Sequence, residues 1–175
     1  MIREIAELGH PALRGAVEGV PWPLSAEDRA LAEDLRETMA ASHGVGIAAT
    51  QLGCSRAMFV VASRPNPRYP DAPNMEPLLV LNPEIVGRSG EIVRGWEGCL
   101  SIPGLRGLVP RDRRIVARFR TIEGEQIERE FVDFVARIFQ HEDDHLRGLV
   151  FLDRIESNRD LATEKEYLAR FAPSV

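Results

Sequence analysis

The sequence predicts an α+β fold, with short, mostly antiparallel strands packed around one central helix. A second helix lies near the N-terminus and a short one near the C-terminus. Three observations predict it. Short apolar runs rich in Val, Ile and Phe recur through the middle of the chain, separated by Gly, Pro and Asn, as strands and turns require. Phe134, Ile138, His141 and His145 follow helical steps of four, three and four, so one stretch is a helix with a defined face. The strands do not alternate with helices, which argues against a parallel sheet. With 175 residues, 44% of them hydrophobic, the chain suits one core, and residues 1–175 are expected to form a single domain.

Residues 1–24 carry Gly9, Pro11, Gly15, Gly19, Pro21 and Pro23 and read as an irregular arm over the domain. Ser25 and Asp28 resemble a capping box, and Leu31, Leu35 and Met39 repeat every fourth residue, predicting a helix over 26–41. Strands are expected at 57–62, 78–81 (ended by Asn82-Pro83) and 84–94, with a Pro-rich polar loop over 64–77. Further strands are expected at 105–109, 115–119 and 126–131, the last two joined by a turn at Glu123-Gly124. The central helix should close at Gly148. Ser157 or Asn158 is the expected cap of a last helix ending near Arg170.

The net charge of −5 comes with no block of like charge, so nucleic-acid binding has no electrostatic support. No apolar run is long enough to span a bilayer. The first residues lack the apolar core of a secretory signal, so a cytoplasmic protein is expected. Two cysteines, Cys54 and Cys99, do not make a disulfide scaffold. Cys54 reads as a packed residue, and His10 has no chemistry assigned.

The central helix carries His141-Glu142-Asp143-Asp144-His145, an H-E-x-x-H pattern. On a helix, residues four apart stack on one face, so two neutral imidazoles can grip one cation while Glu142 moves protons beside it. An acidic, solvated helix end is the bland alternative. A catalytic site of this kind needs a third protein ligand. Phe151 stands where one protease group has a third histidine. Glu164 and Glu166 lie at a conceivable distance for another group's glutamate. Cys99, in Glu97-Gly98-Cys99-Leu100-Ser101, is the better candidate, since a thiolate suits a borderline-soft ion. Upstream, Gly44, Gly46, Ala48 and Ala49 keep a loop nearly free of side-chain bulk, so backbone can approach a ligand closely. Gln51 is the polar exception, with an amide able to donate into a cleft.

Three blocks, 44–51, 97–101 and 140–146, together resemble the peptide deformylase family in order and spacing, and the similarity runs over nearly the whole chain. Ile47 stands where leucine is usual and Thr50 where proline is common. The resemblance implies that Cys99, His141 and His145 bind the metal, with water as fourth ligand. Glu142 would be the acid and base, and the Gln51 amide and Leu100 backbone N–H the oxyanion donors. It implies Val45, Gly46, Glu97, Gly98, Phe134 and Ile138 as substrate contacts. Of these, Phe134 and Ile138 share the helix face of His141 independently of the family. It implies removal of the formyl group from N-formyl-Met nascent peptides, during N-terminal maturation. Fe²⁺ is the expected metal, with Zn²⁺, Ni²⁺ or Co²⁺ able to replace it. Arg106 and Arg111 look like arginines of the family's site, and an Arg111–Glu97 contact is expected only as a weak surface ion pair. A transient ribosome contact gets no help from the C-terminal segment, where Arg159, Lys165 and Arg170 are offset by Asp160, Glu164 and Glu166. Two alternatives stay open: a zinc peptidase using a downstream glutamate, and a non-catalytic metal-binding module.

Overall fold

A computed structural model describes residues 1–65, 69 and 72–171. Among the described residues, three α-helices and eight strands follow in order: α1 (Ala26–Ala41), β1 (Gly46–Ala48), β2 (Met58–Ser63), β3 (Met75–Arg88), β4 (Ile92–Cys99), β5 (Ile102–Asp112), β6 (Arg114–Arg120), β7 (Gln126–Val132), α2 (Asp133–Leu146), β8 (Leu161–Thr163) and α3 (Glu164–Arg170). The strands form two antiparallel sheets, ordered β1-β2-β3-β6-β7 and β4-β5-β8. The fold is therefore the expected α+β arrangement of mostly antiparallel strands around one central helix.

Strand β2 explains why the sheet can carry helices on both faces. Every one of its residues is buried. Successive strand side chains point to opposite faces, so Met58, Val60 and Ala62 join one core with Leu31, Leu35 and Met39 of α1. Phe59 and Val61 join a second core with Ala136, Ile138 and Phe139 of α2. A strand buried on both faces reads as an unbroken apolar run, as residues 57–62 do. Within the second core, Phe139 meets Phe59 edge to face at 5.0 Å and Phe131 at 4.9 Å. Each such fully buried ring contributes about 1.5–3 kcal/mol and fixes the roll of α2. A third, smaller core joins Cys99, Ile102 and Val109 to Val150 and Phe151, so the ligand-bearing end of β4 is anchored from below.

Helix α1 has the predicted bounds, with Ser25 accepting from the Asp28 N–H at 3.0 Å. Gly148 follows α2 at φ +70°, and its N–H and that of Leu149 close the last turn on His145 O and Asp144 O. The N-terminal arm crosses the site's loops. Ala6 N–H donates to Gln51 O and Leu8 N–H to Ser101 O, both at 2.8 Å.

Three expectations are corrected. Asn82-Pro83 does not end a strand, because β3 runs through it. The register against β6 shifts between Leu81 and Glu84, and Asn82 takes φ +51°, a conformation asparagine tolerates. Its amide clamps the arm, accepting from Val20 N–H at 2.7 Å and donating to Val20 O at 2.8 Å. The segment expected as one strand over 84–94 is split instead between β3 and β4, at a turn where Gly90 has φ +73°. The last helix is not capped at Ser157 or Asn158. Ser157 caps a single 3₁₀ turn, Asn158–Asp160. Leu161 to Thr163 then pair with β5, and Thr163 caps α3 through the Glu166 N–H. Of the loop expected over 64–77, residues 66–68, 70 and 71 lie outside the described residues, and β3 begins inside its far end at Met75.

Candidate metal centre

Helix α2 brings His141 and His145 onto one face, with ring centroids 5.1 Å apart. Cys99 arrives from the end of β4, and its Sγ lies 3.3 Å from His145 Nε2. The three donor atoms all lie within 4.8 Å of one another. All three residues are at least nine-tenths buried, so the bland alternative of a solvated acidic helix end does not hold. Asp143 and Asp144 are buried with them.

Each histidine is supported differently. His141 Nδ1 lies 2.9 Å from Glu97 Oε2, which leaves Nε2 to face the cluster. His145 is fully buried, and its Nδ1 has no hydrogen-bond partner among the described residues. Glu97 is itself clamped. Arg111 donates to both its oxygens at 2.9 Å, and Arg137 donates to Oε1 at 2.9 Å. Arg111 also donates to Asp144, which Arg154 holds through two further bonds. The expected weak surface contact between Arg111 and Glu97 is thus a buried, bidentate pair, with Arg111 5% and Glu97 4% exposed. It is buried because Glu97, on β4, and Asp144, on α2, converge on Arg111 from β5.

These surroundings set the ionisation. Burial alone would push the Cys99 thiol up. The neighbouring charge on His145 and hydrogen bonds from both imidazoles outweigh it and hold the thiol well below its ordinary value. Burial would lower His141, but bonds to Cys99 and Glu97 raise it well above its ordinary value. A thiolate beside two imidazole nitrogens is a set of sulfur and nitrogen donors suited to a divalent ion. Burial pushes the Glu142 carboxyl up to about 7, only partly offset by His141 and His145. Its Oε2 has no partner among the described residues. The other oxygen sits where a Cβ on Gly46 would be, since a methyl there would approach Oε1 to 2.3 Å. Glycine at position 46 is therefore a condition for Glu142 being where it is.

One pocket gathers the expected residues. Val45, Gly46, Gln51, Glu97, Gly98, Cys99, Leu100, Phe134, Ile138, His141 and Glu142 all line it. His145 lies behind this lining. Gln51 turns its amide toward Cys99 Sγ at 3.6 Å. Tyr69, Trp96 and Arg137 also line the pocket and were not expected. Arg137 precedes His141 by one helical turn, which was the available signal, but a long charged side chain reads as solvent-facing. Its guanidinium instead folds against Gly95, where a Cβ would come within 2.8 Å of it. Other candidates fall elsewhere. Arg106 is fully buried outside the pocket lining and donates to Tyr69 Oη at 3.0 Å and to Glu164 at 2.8 Å. That contact ties Glu164, one alternative third ligand, to Arg106. The other, Glu166, pairs with Arg170 at 2.7 Å. Cys54 is half-buried beside Arg3, and His10 caps a 3₁₀ turn.

The family model of polypeptide deformylase matches residues 2–160. Peptide deformylase 2 of Nostoc sp. is 53% identical over 163 residues, covering 93% of this chain and 91% of that protein. Peptide deformylase 2 of Bordetella bronchiseptica is 46% identical, covering 92% and 90%. Among solved structures, a class I type b peptide deformylase from Acinetobacter baumannii with Met-Ala-Ser bound superposes with a TM-score of 0.86 at 43% identity, covering 89% of this chain and 99% of that one. Peptide deformylase from Thermotoga maritima gives 0.79 at 34% identity, covering 90% and 99%. A match of this extent, on a chain whose three separated blocks meet in one pocket, places the protein in the polypeptide deformylase family.

Proposed function

We propose that this chain, as one domain over residues 1–175, removes the formyl group from N-formyl-Met nascent peptides, releasing formate and a free amino terminus. The observation that carries it is the convergence of Cys99, His141 and His145 within 4.8 Å, with Glu142 buried at their side and the Gln51 amide facing them. Cys99, His141 and His145 would hold one divalent ion, which when bound supplies a water that ionises near neutral pH. Glu142 takes the proton from the attacking water and hands it to the leaving amine. The Gln51 amide and the Leu100 N–H meet the formyl oxygen as it gains negative charge, each worth about 3 kcal/mol of barrier. Glu97 has both oxygens engaged by Arg111, Arg137 and His141, so we assign it to bracing His141 rather than to touching the substrate.

Phe134, Ile138 and Val45 wall an apolar recess suited to a methionine side chain. Strand β1 lies at the edge of its sheet, where Gly46 offers backbone to an extended peptide, while the Val45 carbonyl accepts from Ala62 N–H at 2.8 Å. The close-packed 44–49 loop, with Leu100 against Gly44 and Glu142 against Gly46, helps build a constriction that admits a formyl group and excludes bulkier acyl groups. The Met-Ala-Ser seen in the Acinetobacter relative has the form of the deformylated product. Fe²⁺ is the assigned native metal, with Zn²⁺, Ni²⁺ or Co²⁺ as substitutes. The assigned compartment is the cytoplasm, and no helix among the described residues is long and apolar enough to cross a membrane. Any ribosome contact would be transient. The peptidase alternative is not favoured, because Glu164 and Glu166 are both engaged with arginines.

The test is formate release from formyl-Met-Ala-Ser by wild type and Glu142→Ala, each reconstituted with the same metal. Loss of one acid–base group should cost about 10²–10⁴-fold in kcat with metal content unchanged. Equal rates in the two proteins would overturn the assignment.

A further inference from the structure

The turn between β4 and β5 carries more than the end of the ligand strand. Cys99 and Ile102 pair across it, and Leu100 and Ser101 form the turn itself. Leu100 lines the pocket. Ser101 does not line it and is fully buried, so no substrate can touch it. Its hydroxyl accepts instead from Gln51 Nε2 at 3.1 Å.

The orientation of the Gln51 amide follows from its other partner. Ala48 N–H donates to Gln51 Oε1 at 2.8 Å. A backbone N–H can only donate, so that atom is the oxygen and the NH₂ group lies on the opposite side. The NH₂ has two hydrogens. Ser101 Oγ takes one. The other faces Cys99 Sγ at 3.6 Å, on the side where Gln51 and Cys99 both line the pocket, so it is the hydrogen an incoming oxygen can reach. Both partners are pinned from behind by the N-terminal arm, through Ala6 N–H to Gln51 O and Leu8 N–H to Ser101 O.

We infer that Ser101 is a positioning residue, whose buried hydroxyl holds the Gln51 amide so that its second N–H points at the formyl oxygen. The inference rests on the deformylase reading above. With the hydroxyl gone, one amide hydrogen loses its acceptor and the Ala48 N–H remains as the side-chain tether on the opposite side, so the NH₂ is held less firmly. A donor aimed in advance stabilises developing charge better than one that must reorganise.

The experiment is a double-mutant cycle on the metal-loaded enzyme with formyl-Met-Ala-Ser. Ser101→Ala should lower kcat about 10-fold, the loss of one neutral hydrogen bond, with KM and metal content unchanged. Ser101→Cys, close in size but a poorer acceptor, should fall between the two. In a Gln51→Ala background, Ser101→Ala should change kcat by less than about twofold, because the group it positions is already absent. Equal losses in both backgrounds overturn the inference. A second readout is the Gln51 side-chain amide signal in a ¹H–¹⁵N spectrum, identified by its disappearance in Gln51→Ala. Its solvent exchange should quicken in Ser101→Ala, and an unaltered signal overturns the inference. A wild type that releases no formate defeats the parent reading, while the amide signal still decides whether Ser101 holds Gln51.

Discussion

Two sets of ion pairs in this molecule are made of the same side chains at the same distances. On the β6–β7 ladder, Arg118 lies opposite Glu128 and bonds it at 2.7–2.9 Å, reaching Glu84 at 3.3 Å as well. Behind α2, Arg111 bonds Glu97 at 2.9 Å and also reaches Asp144. The difference lies in where they are. Arg118 and Glu128 are 41% and 51% exposed, whereas Arg111 and Glu97 are 5% and 4% exposed. Water screens the first set and solvates its members when they part. The second set has no such recourse, and its Glu97 bonds His141, a candidate metal ligand, at 2.9 Å. Distance alone therefore says little about what an ion pair does. Burial, and what leans on the pair, decide it.

The largest predicted effect comes from breaking the buried set. Arg111→Ala leaves Glu97 and Asp144 short of a buried partner and should cost about 3–5 kcal/mol of stability, read from chemical denaturation. Arg111→Met removes the charge but keeps much of the volume, so a comparable loss there would show that unpaired carboxylates, not a cavity, are responsible. A loss under about 1 kcal/mol in both would mean that the pair contributes no more than an exposed one.

A smaller effect is expected one bond further in. Glu97→Gln keeps the shape but removes the charge facing His141 Nδ1 and Arg111. Changes at the outer partner of a metal-binding histidine typically cost 10–100-fold in metal affinity. Competition against a chelator should therefore show about a 10–100-fold weaker apparent affinity. Unchanged affinity would mean that the contact is packing and does not orient the ring.

How much of this was legible depended on period and on distance along the chain. Buried β2 was legible because residues 57–62 are apolar without a break, and α1 because Ser25 and a four-residue repeat marked it. Cys99 was reached through a block of five residues whose role came from family resemblance, since no local rule separates a ligand cysteine from a packed one. Burial of the acidic pair Asp143-Asp144 is not legible locally, because burial of a carboxylate depends on cations elsewhere. Arg111 stands 33 residues from Asp144, and nothing near either aspartate announces it. Asn82-Pro83 looked like a stop because a bulge that absorbs a proline depends on the partner strand. Ser101 was part of a quoted block, yet its partner Gln51 lies 50 residues away.

The same contrast has an acid limb. Burial pushes Asp144 up, but bonds and charges from Arg154 and Arg111 hold it below its ordinary value of 3.8. A carboxyl depressed in the folded state stabilises above its unfolded value and loses that contribution as pH falls through the folded one. Stability should therefore hold at neutral pH and fall with acid below about pH 4. The fall should be shallower in Arg111→Met, where one source of the depression is gone. Parallel curves for the two proteins would mean that other carboxylates dominate acid unfolding.

The smallest effect is reserved for the exposed ladder. Arg118→Ala removes bonds to Glu128 and Glu84, both more than half exposed. Each freed carboxylate regains water, and neither touches the pocket. The lost attraction is offset by the freedom that long side chains recover, so exposed pairs often contribute nothing measurable. The denaturation midpoint should stay within experimental scatter of wild type, and metal affinity and formate release should not move. Raising salt should change wild type and Arg118→Ala alike, because what little the pair contributes is already screened. A clear drop in stability for Arg118→Ala, approaching that of Arg111→Ala, would break the comparison, since burial would then no longer distinguish the two sets.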